Sequence, residues 1–247
     1  MTFKFTKPQK MEKVFHPADS RGKANYGWLN ANYSFSFANF FDPKKVQFGL
    51  LRVLNDDHVK PGMGFGTHPH QNMEIISIPL KGEIRHKDSM DHTEVIKAGE
   101  VQVMSAGTGV EHSEFNSSNE ELNMLQIWIF PEKNGLEPRY DQKDFSGLMK
   151  ENQLVNVVSP RSDQSENSLF INQQAYLHLG DFDTGRKIEY ELKKEKHGVY
   201  VFLIEGEANI ADASLKKRDA IGIWNTNKFS MEFKKPSKVL LIEVPMN

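Results

Sequence analysis

The chain has 247 residues, 38% of them apolar and 26% charged, with a formal net charge of -2 and no cysteine. That length gives ample material for a buried core in one large or two smaller domains, and the near-neutral charge gives no bulk attraction to nucleic acid or to an anionic membrane. Without cysteine, disulfides, thiolate metal sites and cysteine nucleophiles are excluded.

Residues 1 to 24 are polar with only helix-compatible fragments, and MTFKFTKPQKMEKVF lacks the apolar core that a signal peptide needs. No run approaches the roughly 20 apolar residues of a transmembrane helix, so the expectation is a soluble cytoplasmic protein. From Asn25 the texture changes to NYGWLNANYSFSFANFFDP, an aromatic-rich run whose local alternation points to strand and core packing. VQFGLLRVL, MEIISIPL, GEIRH, TEVI, EVQVM and NMLQIWIF then read as successive short strands. Turn signals stand between them at Asn55-Asp56-Asp57, Lys81-Gly82, Asp88 to Asp91 and Ala98-Gly99. A loop-rich segment from Pro131 to Gly147 reads as an inter-domain connection. Strands resume with NQLVNVVS, SLFINQQAYLHLG, RKIEYEL, VYVFLIEG, EANIAD and KVLLIEV. Short strands at close spacing, with no sustained helical periodicity, predict an all-β protein of sandwich or barrel type.

One fragment recurs. ISIPLKGEIRHKD (76 to 88) aligns with VFLIEGEANIADA (201 to 213), pairing Gly82 with Gly206 and Glu83 with Glu207. Downstream, KAGEVQVMS (97 to 105) matches KKRDAIGIW (216 to 224), which predicts two copies of one β-barrel unit. Stepping from Gly82 to Gly206 carries His68 and His70 onto Leu192 and Lys194, and the region of His112 onto Asn227 to Glu232, which has no histidine. Histidines demanded by the barrel itself would occur in both copies, so those of the first copy point to chemistry.

His68-Pro69-His70 and His112-Ser113-Glu114 are the residues concerned. In a strand, positions i and i+2 share a face, so each pair offers two donors to one side. Two facing strands of this kind would converge three imidazoles and a carboxylate on one point, a mononuclear metal site. Three nitrogens and one oxygen without thiolate suit Fe, Ni, Cu, Mn, Co or Zn. Four protein ligands leave positions open on a six-coordinate ion, which suits oxygenase chemistry better than a closed structural role. His86 and His92 fall on polar hairpin arms and His16, His58, His178 and His197 stand alone, so all six are expected as surface or hydrogen-bonded histidines.

Gly62, five residues, His68-x-His70, three residues and Glu74 resembles the first cupin motif, with its closing glycine at Gly82, one residue late. Gly99 through Gly109, two residues, His112, three residues and Asn116 resembles the second. The versions GFGTHPHQNMEI and MSAGTGVEHSEFN resemble the pirin family, and its bacterial quercetinase-like branch in particular. The likeness is dense from about 20 to 145 and thin beyond 150. It implies a bicupin, two double-stranded β-helix barrels: an N-terminal one over 1-133 with the metal, a connection over 134-150, and a C-terminal one over 151-247 without ligands. It also implies His68, His70, His112 and Glu114 as ligands of one divalent ion, most often Fe(2+). Glu74, the carboxylate ligand of a general cupin, becomes a possible pocket or ligand-orienting residue. The implied activity is oxidative ring cleavage of flavonols such as quercetin with O2 and release of carbon monoxide, with Glu114 as general base. The alternative is a non-catalytic, redox-sensing iron protein that binds protein partners.

Overall fold

Alternation with a period of two marks strands such as Val110–Asn116, and near-continuous buried runs mark the central strands such as His197–Glu205, in the computed structural model, which describes residues 10 to 246. The first half contains β1 (Glu12–His16), β2 (Gly22–Asn25), β3 (Leu29–Tyr33), β4 (Leu51–Val59), β5 (Gly64–His70), β6 (Glu74–Lys81), β7 (Glu83–Asp88), β8 (Thr93–Lys97), β9 (Glu100–Ser105), β10 (Val110–Asn116), β11 (Leu122–Ile129) and β12 (Arg139–Asp144). The second contains β13 (Gln153–Pro160), β14 (Leu169–Ile171), β15 (Tyr176–Phe182), β16 (Lys187–Glu191), β17 (His197–Glu205), β18 (Glu207–Ile210), β19 (Ala213–Lys216), β20 (Ala220–Trp224), β21 (Lys228–Phe233) and β22 (Ser237–Pro245). Among the described residues the only helical turns are two short 3-10 segments, Ala18–Ser20 and Arg161–Asp163. No helix there is long and apolar enough to cross a membrane.

The strands form two large and two small sheets. In the first half β12-β9-β6-β11-β4-β3-β2 stands against β5-β10-β7-β8, and in the second β1-β20-β17-β22-β15-β13-β14 stands against β16-β21-β18-β19. Each half is thus one double-sheeted barrel. Ile84 and Ile96 of the first small sheet pack on Leu29, Val59 and Met124 of the large one. The outer faces of the two large sheets meet in a shared core, where Leu54, Ile76 and Ile127 pack with Val158, Leu177 and Leu240.

Four sequence expectations change. Residues 1 to 9 of the polar N-terminal segment lie outside the described residues, and beyond them the chain forms β1 and β2. β1 pairs with β20, so it belongs to the second barrel's sheet. The Pro131 to Gly147 segment read as a connection contains β12, which pairs along the whole of β9 and completes the first barrel's sheet. Asn55-Asp56-Asp57, read as a turn, lies inside β4 and is buried. Its turn preference is overridden because Asp56 meets Arg21 at 3.3 Å and Arg218 at 3.5 Å and accepts a hydrogen bond from Asn123 at 2.8 Å.

The repeat is real in three dimensions. Gly82 (φ 78°) and Gly206 (φ 95°) make the same tight turn, in the left-handed region that favours glycine. Ile84 pairs with Asn116 in the first barrel as Ala208 pairs with Phe233 in the second. Counting along that register, Phe229 stands where His112 does and Met231 where Glu114 does. Phe229 pairs with Tyr190 as His112 pairs with His68, so Tyr190 matches His68 and Leu192 matches His70. The simple step to Leu192 and Lys194 is two residues off because the β16–β17 loop is longer than the β5–β6 loop. The conclusion drawn from it stands, since neither barrel position carries a second set of histidines.

Candidate metal centre

β5 and β10 run antiparallel with His112 opposite His68 and Val110 opposite His70. The pleat therefore brings the two dyads to one face. Between His112 and Glu114 the register shifts by a bulge in β5, at Gly66 and Thr67. The bulge leaves the Gly66 carbonyl 2.8 Å from His68 Nδ1. A carbonyl only accepts, so Nδ1 carries the proton and Nε2 keeps its lone pair, the tautomer that a metal ligand needs.

The rings of His68, His70 and His112 lie 4.5 to 4.9 Å apart, centroid to centroid. One nitrogen of each falls within 4.8 Å of the others. His112 is 1% exposed, and neither of its ring nitrogens has a hydrogen-bond partner. Burial, with His68 and His86 close by, pushes its pKa down to about 3. Burial, then His112 and His68, takes His70 down to about 4. At neutral pH both rings are uncharged and present lone pairs. Orphaned, uncharged and mutually facing imidazoles are poorly arranged for a core and well arranged for a divalent transition ion.

Glu114, two residues beyond His112 on β10, is buried. The Ser77 hydroxyl donates to its Oε1 at 3.0 Å and Gln126 Nε2 donates to Oε2 at 2.7 Å. Its carboxylate groups within 4.8 Å of His112 and His86, whereas the tight set with His68 and His70 contains no carboxylate. The structure thus joins His68, His70 and His112 directly and places Glu114 beside His112 and His86, on the cavity that His68 and His70 also line.

His86 is a correction. It was expected on a polar hairpin arm, yet it sits opposite Glu114 in the β7–β10 ladder and is fully buried. Its Nε2 is 3.0 Å from Asp88 Oδ2, and its Nδ1 has no partner. Asp88 also accepts from His92 Nδ1 and from the amides of Met90 and His92. Burial opposes ionisation of Asp88, but these hydrogen bonds prevail and hold its carboxyl below the usual range. The Tyr140 ring lies 4.7 Å from both His86 and His92. The alternation Ile84-His86-Asp88 was the available signal, since Ile84 faces the core and the other two share its parity. His16, His178 and His197 are likewise buried, each beside a tyrosine hydroxyl or a carboxylate.

Glu74 is a second correction. The resemblance implies a possible pocket or ligand-orienting role for it, but the chain turns at residues 71 to 73, with Asn72 at φ 50°, and changes sheets. Ser77 of β6 reaches Glu114, so Glu74 stands on the opposite face of that strand. There it accepts hydrogen bonds from Ser105 Oγ at 2.7 Å and from the Asn172 amide at 3.1 Å. Burial raises its pKa despite those bonds.

Beside the histidines lies a cavity of about 420 Å³, bordered by Glu114 and Gln126 and walled by aromatic rings. Trp28 meets Phe65 edge-on at 5.4 Å, Phe37 meets Trp128 at 5.3 Å, and Trp128 meets His70 at 4.9 Å. Such walls suit a flat aromatic ligand held against the donor set. In the second barrel the matching interior is solid core, with Tyr190, Phe229, Met231 and Leu241 buried together.

Residues 14–129 match the family model described as Pirin, and residues 156–244 the model described as Quercetinase C-terminal cupin domain. Over 229 residues the chain is 41% identical to the quercetin 2,3-dioxygenase of Escherichia coli strain K12, covering 92% of this chain and 96% of that one. It is 34% identical to a pirin-like protein of Caulobacter vibrioides over 227 residues, covering 92% and 97%. The structure of the bacterial pirin YhhW of Escherichia coli in complex with nickel(II) matches with a TM-score of 0.89 at 37% identity, covering 96% of this chain and 100% of that one. A quercetin 2,3-dioxygenase of Acinetobacter baumannii matches with a TM-score of 0.76 at 21% identity, covering 94% and 85%, a likeness of fold.

Proposed function

The chain belongs to the pirin family, with two cupin barrels in tandem, and we propose that it is a metal-dependent dioxygenase that cleaves the central ring of flavonols such as quercetin with O2. One observation carries the reading: three imidazoles, unpaired at His112, face one another beside an aromatic-walled cavity. His68, His70, His112 and Glu114 are the proposed ligands of one divalent ion. The nickel(II) bound by the Escherichia coli relative supports a divalent ion, and Fe(2+) is the proposed native one. When bound, the ion supplies Lewis-acid activation of the flavonol's 3-hydroxyl and redox access to O2.

The chain's own part is positioning and one proton. The 420 Å³ cavity takes the flat rings between Trp28, Phe37, Phe65 and Trp128. Glu114 takes the 3-hydroxyl proton as general base. Ser77 and Gln126 each hold one of its oxygens, which fixes the carboxylate's orientation and leaves the remaining lone pairs for that proton. Gly66 holds His68 in the required tautomer. A redox sensor acting through protein partners would use the same donors, but it has no need of an aromatic cavity beside them, and the cavity favours turnover.

The test is to load the protein anaerobically with Fe(2+), add quercetin and admit air. Loss of flavonol absorbance with matching oxygen uptake is expected of wild type. His70→Ala should show neither, together with a fall in bound metal. A wild-type protein holding one equivalent of iron that consumes no quercetin would overturn the proposal.

A further inference from the structure

The cavity carries polar atoms that the protein leaves without partners. Asn55 and Asp57 lie two residues apart on β4, so the pleat turns both toward the barrel interior, and both line the cavity. They are 3% and 4% exposed, yet Asn55 Oδ1 and Asp57 Oδ1 have no hydrogen-bond partner among the described residues. Nε1 of Trp128, on the same cavity, is also unpartnered. Buried polar groups are nearly always paired, so three orphans in the wall of one cavity mark side chains that a ligand can draw into hydrogen bonds. At position 57 the barrel fold does not ask for a carboxyl. In the second barrel the ladder puts Gly180 at the position of Asp57, and a side chain there would meet the Phe182 ring at 2.6 Å.

We propose that Asn55 and Asp57 are the specificity-determining residues of this cavity, hydrogen-bonding the phenolic hydroxyls that a polyhydroxylated aromatic ligand carries outside its metal-directed oxygens. The inference rests on the flavonol reading for the ligand class and adds what recognises its ring hydroxyls. Asn55 Oδ1 accepts from a phenol. Burial, with Asp56 and Glu114 adding to it, raises the Asp57 carboxyl well above its ordinary range, and its oxygens accept from a phenol. Trp128 Nε1 can only donate, and a phenolic oxygen satisfies it. A ligand without these hydroxyls leaves all three atoms buried and unpaired. Sites built around polar groups reject such analogues far more strongly than apolar pockets reject a missing methylene.

The experiment measures equilibrium binding by quenching of tryptophan fluorescence, under argon, with the protein loaded with redox-inert Zn(2+). The probes are quercetin and 3-hydroxyflavone, which keeps the 3-hydroxyl and carbonyl but lacks the other ring hydroxyls. Wild type is expected to bind quercetin about tenfold or more tighter, the worth of one or two buried hydrogen bonds. Asn55→Leu and Asp57→Leu should each bring the two affinities to within roughly threefold. Zinc stoichiometry should stay at the wild-type value, and 3-hydroxyflavone should bind at least as tightly as to wild type, since the unpaired groups it would bury are gone. Asp57→Asn, which keeps shape and hydrogen-bonding capacity, should retain the preference, and it carries the test if Asp57→Leu does not fold. The inference is overturned if wild type does not distinguish the two ligands, or if both leucine variants keep the full preference. Turnover plays no part, so a protein that discriminates but never oxidises quercetin would sink the dioxygenase reading and leave this one standing.

Discussion

His112→Phe copies into the first barrel what the second already has, because Phe229 occupies the matching register position and is buried in an apolar core. Both ring nitrogens of His112 are buried without partners, and each unsatisfied atom costs about 1–3 kcal/mol. A phenyl ring removes both costs and keeps edge contacts like those His112 makes with His68 and His86. Its larger outline is opposed by overpacking of about 1–3 kcal/mol. Two such costs, about 2–6 kcal/mol together, less that overpacking leave the metal-free variant a mid-range gain of roughly 2 kcal/mol, which for a chain of this length is about 4–8 °C in Tm. Excess metal at about 100 times Kd should add roughly 2.7 kcal/mol to wild type and nothing to the variant. Scanning calorimetry in chelator, then with Ni(2+) or Fe(2+), reads both effects. A metal-free variant that melts below metal-free wild type would show that the His112 nitrogens are satisfied without metal. A variant that kept the metal-induced rise would remove His112 from the ligand set.

Two further outcomes follow from the geometry. Glu74→Ala should lower stability by about 1–3 kcal/mol, by leaving the Asn172 amide and Ser105 hydroxyl unpaired, with metal stoichiometry unchanged. Glu114→Gln should do the reverse, weakening metal binding about tenfold or more with little change in chelator-treated Tm, so titration of both variants separates the two carboxylates. For pH, burial first, and then Lys193, hold His178 at about 4 in the folded chain, against 6.5 unfolded. Above pH 6.5 neither state binds that proton. Between 6.5 and about 4 only the unfolded state does, so stability falls as pH falls through this window. His178→Leu should make the urea-derived stability slope there shallower by up to one proton, about 1.4 kcal/mol per pH unit. An unchanged slope would mean that His178 does not titrate on unfolding.

What the amino-acid pattern reveals is whatever is local. Strand alternation, the Gly82 and Gly206 turns and the two i, i+2 donor pairs all depend on neighbours within a few residues, and all appear in the fold. Errors arose where distant partners decide. Asn55 to Asp57 look like a turn until Arg21 and Arg218 arrive from other strands to neutralise Asp56. Glu74 keeps parity with His70 only if the strand continues, and a positive φ at Asn72 ends it. His86 stands on a polar hairpin arm between Arg85 and Lys87, although its own i-2 neighbour, Ile84, is core. Orphaned cavity atoms such as Asp57 Oδ1 are invisible in sequence, since being unpaired is a property of the assembled barrel.

The two barrels show what an open site requires of its scaffold. They share strand order, turns and register, and differ mainly in which side chains point inward. In the second, Tyr190, Phe229, Met231 and Leu241 fill the interior and contribute transfer free energy. The first places His68, His112, Glu114 and Gln126 at the matching positions, keeps a 420 Å³ void beside them and leaves several polar atoms unpaired. An isolated barrel of this kind would have little margin, because domain stability is a small difference between large terms. The compensation lies between the barrels, where Phe35, Leu54, Ile76, Tyr200, Phe202 and Leu240 form a continuous core. β1 crosses from the start of the chain to close the second barrel's sheet, and Arg218 crosses back to Asp56, on the strand that carries Asn55 and Asp57. The second barrel therefore acts as the rigid support of the site, holding from behind the strand that faces the ligand.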